Sequence, residues 1–260
     1  PSLASIISSM FLIPVVLSIL EINLKSSLLC CLSISLTSNG GMLCPNSKSI
    51  SKYGAHSQKC NLTATLYGDI GKVEIEEILK ANPNDVVIID EAYVDFGGYS
   101  AVELVKEYDN LVVTQTFSKS RSMAGMRVAA AFANPQLISY MDAVKDSYNS
   151  YPMDSIAILT GIESIKDREY FENTVSKIIT TRERVAKAMT KMGFAVLDSS
   201  TNFLFATHPE HKAKDIFEYL KSQKIFVRYF NKPRIENYLR ITIGTDDEMD
   251  AMLEALERFI

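Results

Sequence analysis

A lysine preceded by a serine, an arginine eight residues further on, and a carboxylate ending an earlier apolar run form a set that can do chemistry. These are Lys119, Ser118, Arg127 and Asp90. A lysine amine condenses with an aldehyde to give a Schiff base, the usual route by which lysine acts as a covalent catalyst. A heteroaromatic ring that drains electrons from such an adduct needs its nitrogen kept protonated, which a carboxylate such as Asp90 supplies. A hydroxyl and a guanidinium, here Ser118 and Arg127, suit a phosphate, the arginine through its two-pronged fork. Gly125, two residues before Arg127, allows close backbone approach.

The surrounding elements put these groups where ligands bind. Residues 86–89 (VVII) and 111–114 (LVVT) are short β-branched runs of the kind found in sheets covered on both faces. The first ends at Asp90 and the second leads through Gln115, Thr116 and Phe117 to Ser118 and Lys119. Sites of open α/β sheets form at the carboxyl ends of strands. Helical spacing over 73–80 and 103–108, and a further strand over 128–132, complete an alternating pattern that predicts an α/β layer. Residues 154–192 read almost entirely as helix, stopped by Gly193. Beyond it come strands at 203–206, 226–229 and 239–243 and helices at 213–222 and 246–259, a small α/β lobe with a mostly antiparallel sheet. The expected division is an atypical segment 1–70, a ligand-binding portion 71–153, linking helices 154–192 and a small domain 193–260.

Composition narrows the function class. The chain has 260 residues, a net charge of -4, 47% hydrophobic and 22% charged residues, and a pI near 5.5. Such a balance suits a soluble globular protein and argues against a nucleic-acid partner, which would call for a basic face. The charge is unevenly spread. Residues 1–60 hold one acid (Glu21) and four lysines, a balance of +3; the other 200 residues carry 30 acids against 23 bases, or -7. All four cysteines (Cys30, Cys31, Cys44, Cys60) also lie in the first 60 residues. No Cys/His cluster has metal spacing, so no metal is expected. A cysteine-free remainder suits a reducing, cytoplasmic setting.

The first seventy residues stand apart. Two apolar runs, 9–20 and 28–36, fall short of the roughly 20 residues a membrane helix needs, so a membrane location is not expected. No basic region precedes them as in a signal peptide, and an opening Pro1 points to a start further upstream. Three readings stay open for this stretch: a mistranslated or misassembled segment, a divergent folded start, or a membrane anchor.

The motifs DEAYVDFGG (90–98) and TFSKSRSMAGMR (116–127), followed by SSTNF (199–203), IFVRYF (225–230) and YLRITIGT (238–245), resemble the histidinol-phosphate aminotransferase family within the fold-type I pyridoxal-phosphate enzymes. The likeness covers residues 75–260 or thereabouts. It implies part of a fold-type I large domain plus a small C-terminal α/β domain, pyridoxal 5'-phosphate as cofactor, and a homodimer. It implies that Lys119 carries the cofactor and shuttles the proton between the substrate Cα and the cofactor. Asp90 would pair with the ring nitrogen, Tyr93 would hydrogen-bond the ring's phenolic oxygen, and Ser118 and Arg127 would hold the phosphate. Arg240 would grip the substrate's acidic group, with Arg228 as a second anchor. The implied reaction is exchange of amino and oxo groups between histidinol phosphate, an amino-alcohol phosphate, and 2-oxoglutarate. The alternatives are another fold-type I aminotransferase, a phosphothreonine-type decarboxylase, or a catalytically impaired fragment.

The chain departs from that family at residues 64–71 (ATLYGDIG), where an Asn-Pro-x-x-Pro-Thr-Gly motif would supply an asparagine to the cofactor ring. The glycine-containing phosphate loop, the ring-stacking aromatic and the N-terminal tyrosine also find no match in 1–70. Weak cofactor binding, or none at all, is the expectation that follows. His208 and His211, in the polar stretch THPEHK, read as surface residues. Tyr99, Tyr108 and Tyr148 read as core or interface rings.

Overall fold

The computed structural model describes residues 61–63 and 70–260. The readings made for residues 1–60 and 64–69, including the cysteines, the apolar runs and most of the departing segment, lie outside the described residues. Two compact units emerge. One holds Ile70–Val94 and Tyr99–Arg168, and the other holds Asp95–Gly98 and Glu169–Ile260.

The first unit is built on a four-stranded sheet: β1 (Asn61–Thr63), β2 (Val87–Asp90), β3 (Leu111–Thr116) and β4 (Ala129–Ala133), in that spatial order. β1, β2 and β3 run parallel, whereas β4 returns antiparallel to β3. Helix α1 (Lys72–Ala81) crosses from β1 to β2 and buries Ile75 and Leu79, its i and i+4 positions, against Val87, Ile89, Leu104, Leu111 and Val113. Each fully buried aliphatic side chain of this kind stabilises by roughly 1.5–3 kcal/mol. The stretch expected as a helix at 103–108 is instead a 3-10 turn, Val102–Lys106; it has room for only one buried contact, Leu104.

Helix α2 (Pro135–Tyr148), which the hydrophobic pattern does not announce, follows β4. Its start is nonetheless written locally: the Asn134 side chain accepts from the Leu137 amide, and Pro135 sits at the first helical position. The long helical stretch then divides at Asp167 into α3 (Ser155–Lys166) and α4 (Arg168–Lys191). α3 is capped by the Asp154 carboxylate on the Ala157 amide at 2.7 Å.

The second unit has a wholly antiparallel sheet in the order β5 (Ala195–Val196), β6 (Phe203–Thr207), β8 (Leu239–Thr242) and β7 (Arg228–Tyr229). α4, α5 (Ala213–Ser222) and α6 (Asp246–Phe259) cover one face, where Leu204, Ala206, Leu239 and Ile241 meet Val185, Met189, Ile216, Leu220 and Met252. α6 opens with a reciprocal Thr245–Glu248 capping box. Arg184 on α4 reaches Asp246 at 2.8 Å and also pairs with Asp250.

His208 departs from the sequence expectation. It is 4% exposed, its Nε2 lies 3.2 Å from the Met192 carbonyl, and its ring nitrogen Nδ1 accepts from the Glu210 amide. Gly193, at φ +92°, leaves the space its ring occupies.

Candidate active site

Asp90 is the last residue of β2, and its register partner is Thr114 on β3. Paired residues share a face of the sheet, and Thr114 Oγ1 donates to Asp90 Oδ1 at 3.4 Å. The Ala92 amide donates to the same oxygen at 3.2 Å. Both bonds fall on Oδ1, leaving Oδ2 without a hydrogen bond among the described residues. Burial pushes the Asp90 carboxyl above the usual carboxylate range; the Ala92 and Thr114 hydrogen bonds oppose that shift without cancelling it. No described cation pairs with it. A protonated ring nitrogen would supply the missing positive charge.

β3 ends at Thr116, and the chain loops out to return as β4. The antiparallel pairing of Thr116 with Ala129 closes the base of that loop, and the Phe117 amide donates to the Val128 carbonyl at 3.1 Å. Inside the loop, the Met123 amide donates to the Phe117 carbonyl at 3.0 Å. Phe117 and Met123 are drawn into a small core with Val128 and Ala157. Between these apolar residues Ser120 is also drawn in, at 5% exposure. Lys119 and Arg127 are exposed and Ser118 is half-buried.

Lys119 Nζ lies 5.4 Å from the centroid of the Tyr93 ring, within cation–π range. No carboxylate pairs with it among the described residues. The Ser118 amide donates to Thr116 Oγ1 at 3.1 Å, while the Ser118 hydroxyl has no partner among the described residues. Arg127 takes a left-handed conformation, φ 57°, as does Ser122, φ 56°. Such backbone costs about 1–3 kcal/mol per residue and persists where surrounding structure enforces it. Among the described residues Arg127 Nη1 donates only to the nearby Ala124 carbonyl, at 3.0 Å. A Cβ added to Gly125 would meet nothing within 4 Å. The expected close approach is thus not to protein; the space above Gly125 is open.

The side chains of the first unit therefore fit the two ends of a phosphorylated pyridine aldehyde. Asp90 offers an unpaired oxygen for the ring nitrogen, Lys119 an amine, and Ser118 and Arg127 donors for a dianion. The structure brings Tyr93 next to Lys119. It also adds Thr114, an orienting residue that strand alternation could have revealed as the same-face neighbour of Asp90.

Arg228 and Arg240 belong to the second unit. They are register partners on β7 and β8, on the sheet face opposite the helices. The Arg240 guanidinium carbon lies 5.3 Å from the Phe203 centroid and 6.0 Å from that of Phe230, and that of Arg228 lies 5.6 Å from Phe230. Neither arginine pairs with a carboxylate among the described residues, and the buried Arg240 Nε has no hydrogen-bond partner there. Two paired guanidiniums beside aromatic rings, with no described carboxylate partner, have the donor geometry that suits an anion. The rings beneath them are a feature the sequence motifs did not flag.

Residues 69–256 match the family described as aminotransferase class I and II. The chain is 52% identical over 187 residues to a histidinol-phosphate aminotransferase of Acinetobacter baumannii (strain AB307-0294), covering 72% of this chain and 52% of that protein. It is 50% identical, with the same coverage, to a histidinol-phosphate aminotransferase of Lactococcus lactis subsp. lactis. The chain thus spans about half the length of the curated relatives it matches. Its fold is similar to that of a histidinol-phosphate aminotransferase from Sinorhizobium meliloti in complex with pyridoxal-5'-phosphate. That superposition has a TM-score of 0.68 and 22% identity, covering 77% of this chain and 57% of that one.

Proposed function

The chain belongs to the class I and II aminotransferase family, and from that premise we propose that it carries the lysine-bearing part of a pyridoxal 5'-phosphate site for transamination of histidinol phosphate with 2-oxoglutarate. The observation that carries the reading is the placement of a half-buried Asp90, with no cation partner among the described residues, at one strand end beside the strand that leads to the Lys119 loop. The half-identical relatives named for histidinol phosphate support the choice of substrate.

When bound, pyridoxal 5'-phosphate supplies an electron sink that makes the substrate Cα–H acidic. The rest falls to protein side chains. Lys119 Nζ would hold the cofactor at its aldehyde and would carry the proton at the substrate Cα. Asp90, anchored by Thr114 and Ala92, keeps the ring nitrogen protonated. The Tyr93 hydroxyl donates to the ring oxygen, and Ser118 and Arg127 grip the phosphate. Arg240 receives the acidic group of the substrate and Arg228 a second anionic group, as a phosphate ester or a dicarboxylate would provide. A homodimer in the cytoplasm is part of the same proposal, in keeping with Tyr151, Ile156 and Leu159, exposed at 92%, 66% and 63%. No helix among the described residues is long and apolar enough to cross a membrane. Because the family's Asn-Pro motif finds no match in residues 64–71, cofactor affinity below that of the longer relatives belongs to the reading.

The test is turnover of histidinol phosphate and 2-oxoglutarate by the full chain, beside phenylalanine as competing donor, with Lys119→Ala as control. Faster reaction of phenylalanine overturns the substrate. Borohydride trapping of the cofactor in Lys119→Ala to the same extent as in the wild type overturns the role of the lysine.

A further inference from the structure

Asp90 and its neighbour Glu91 sit at the end of an extended strand, so their side chains leave opposite faces of the sheet. Thr114 and Gln115 do the same on β3. On one face Thr114 meets Asp90. On the other, Gln115 Nε2 donates to Glu91 Oε2 at 2.8 Å. Glu91 is 6% exposed, and its carboxylate also accepts from the Ser100 hydroxyl at 2.8 Å and from the Ala101 amide. The Glu91 amide, in turn, donates to the Thr114 carbonyl at 2.8 Å. A buried carboxylate is costly unless it is fully hydrogen-bonded. Here that cost is offset by donors from two segments of the chain, one of which is the strand that leads to Lys119.

We propose that Glu91 is a positioning residue: paired with Gln115, it locks the end of β2, and with it Asp90 and Tyr93, against the strand that delivers Lys119. The inference rests on the proposed function for its catalytic consequence, but not for its structural content. Glu91 touches neither cofactor nor substrate in this scheme; it acts through Asp90 and Tyr93.

Donor–acceptor chemistry gives the inference a sharp test. In Glu91→Gln one acceptor oxygen becomes an amide NH2 and the charge is lost, so Gln115 and Ser100 lose a charged acceptor and can pair with the new NH2 only after turning their own acceptors toward it. In Gln115→Glu two carboxylates face each other. The double exchange Glu91→Gln/Gln115→Glu restores one carboxylate and one amide with the roles swapped. The carboxylate, now on β3, accepts from the amide, now at the end of β2, and the oxygen of that amide takes the Ala101 N–H.

The experiment compares the full-length wild type, both single variants and the double exchange at a temperature where all are folded by circular dichroism. Two quantities are read: the pH profile and rate of pyridoxal 5'-phosphate attachment to Lys119, trapped with borohydride and located by peptide mass spectrometry, and amide hydrogen exchange over residues 90–101. Each single variant should lower the Lys119 attachment rate about tenfold, the loss expected of one charge-assisted hydrogen bond, and speed exchange at 90–101. The double exchange should recover most of both. Wild-type attachment rates in Glu91→Gln, or a double exchange as impaired as the singles, overturns the positioning role. If wild-type Lys119 takes up no cofactor, the proposed function fails instead. The clamp is then judged on exchange alone: swap-dependent protection supports it, and unchanged protection overturns it.

Discussion

Arg228 and Arg240 face each other across the β7–β8 pair, one residue directly opposite the other. Like charges placed so cost a sheet roughly 0.2–1 kcal/mol, and here no described carboxylate offsets them. The rings of Phe203 and Phe230 provide partial compensation. An arrangement that costs the unliganded protein stability is intelligible when an anion completes it.

The first prediction concerns that pair. In anion-free buffer Arg228→Gln should unfold at the same temperature as the wild type or slightly higher, since it relieves repulsion. Inorganic phosphate should raise the wild-type midpoint and have much less effect on the variant. Differential scanning calorimetry with and without phosphate decides it; equal phosphate responses would count against an anion receptor here.

A second prediction follows from Asp90, whose carboxyl is raised by burial. With the folded pKa above the unfolded one, the native state binds more protons between the two values. Stability is therefore greatest below the unfolded value and falls as pH rises through the window up to the folded value. Asp90→Asn keeps an acceptor for Ala92 and Thr114 and removes the charge. At neutral pH the variant should be more stable than the wild type, with the gap closing on acidification, while its cofactor binding weakens. Urea unfolding over a pH series checks the sign; a gap that widens on acidification contradicts it.

Gly125 allows a prediction that separates ligand contact from protein packing. Nothing among the described residues lies within 4 Å of a Cβ placed there, so Gly125→Ala should shift stability by no more than about 0.5 kcal/mol. If the space above it receives the cofactor phosphate, binding of pyridoxal 5'-phosphate should weaken severalfold. Fluorescence titration measures this, and unchanged affinity would place the phosphate elsewhere.

At Gly193 the opposite result is expected. A Cβ there would sit 2.9 Å from His208 Nε2, on backbone at φ +92°. Gly193→Ala should cost about 1–3 kcal/mol from the backbone alone, plus displacement of the histidine from the Met192 carbonyl. Combining it with His208→Ala should give a loss smaller than the sum of the two. Strict additivity in denaturant unfolding would mean that the ring and the glycine do not interact.

The sequence by itself determined the family motifs and most of the elements. Short β-branched runs ending in Asp90 and leading to Lys119 set the strand ends, because strand propensity and the polar residues that stop a strand are local properties. The helix at 213–222 was legible to the residue from its apolar spacing, and the helix at 246–259 from its acidic first turn. The type, though not the role, of Ser118, Arg127, Arg228 and Arg240 could be read the same way.

Only the tertiary structure decided the rest, because it depends on contacts between residues far apart in the chain. β4 runs antiparallel, and that direction alone closes the Lys119 loop at Phe117 and Val128. The register of β2 on β3 chose Thr114 as the partner of Asp90 and Gln115 as that of Glu91. Burial of His208 depends on the turn at Gly193, fifteen residues away. Arg228 and Arg240, twelve residues apart, became cross-strand neighbours through strand pairing. In each case the residue types were local information, and the partner was chosen by packing that no local pattern contains.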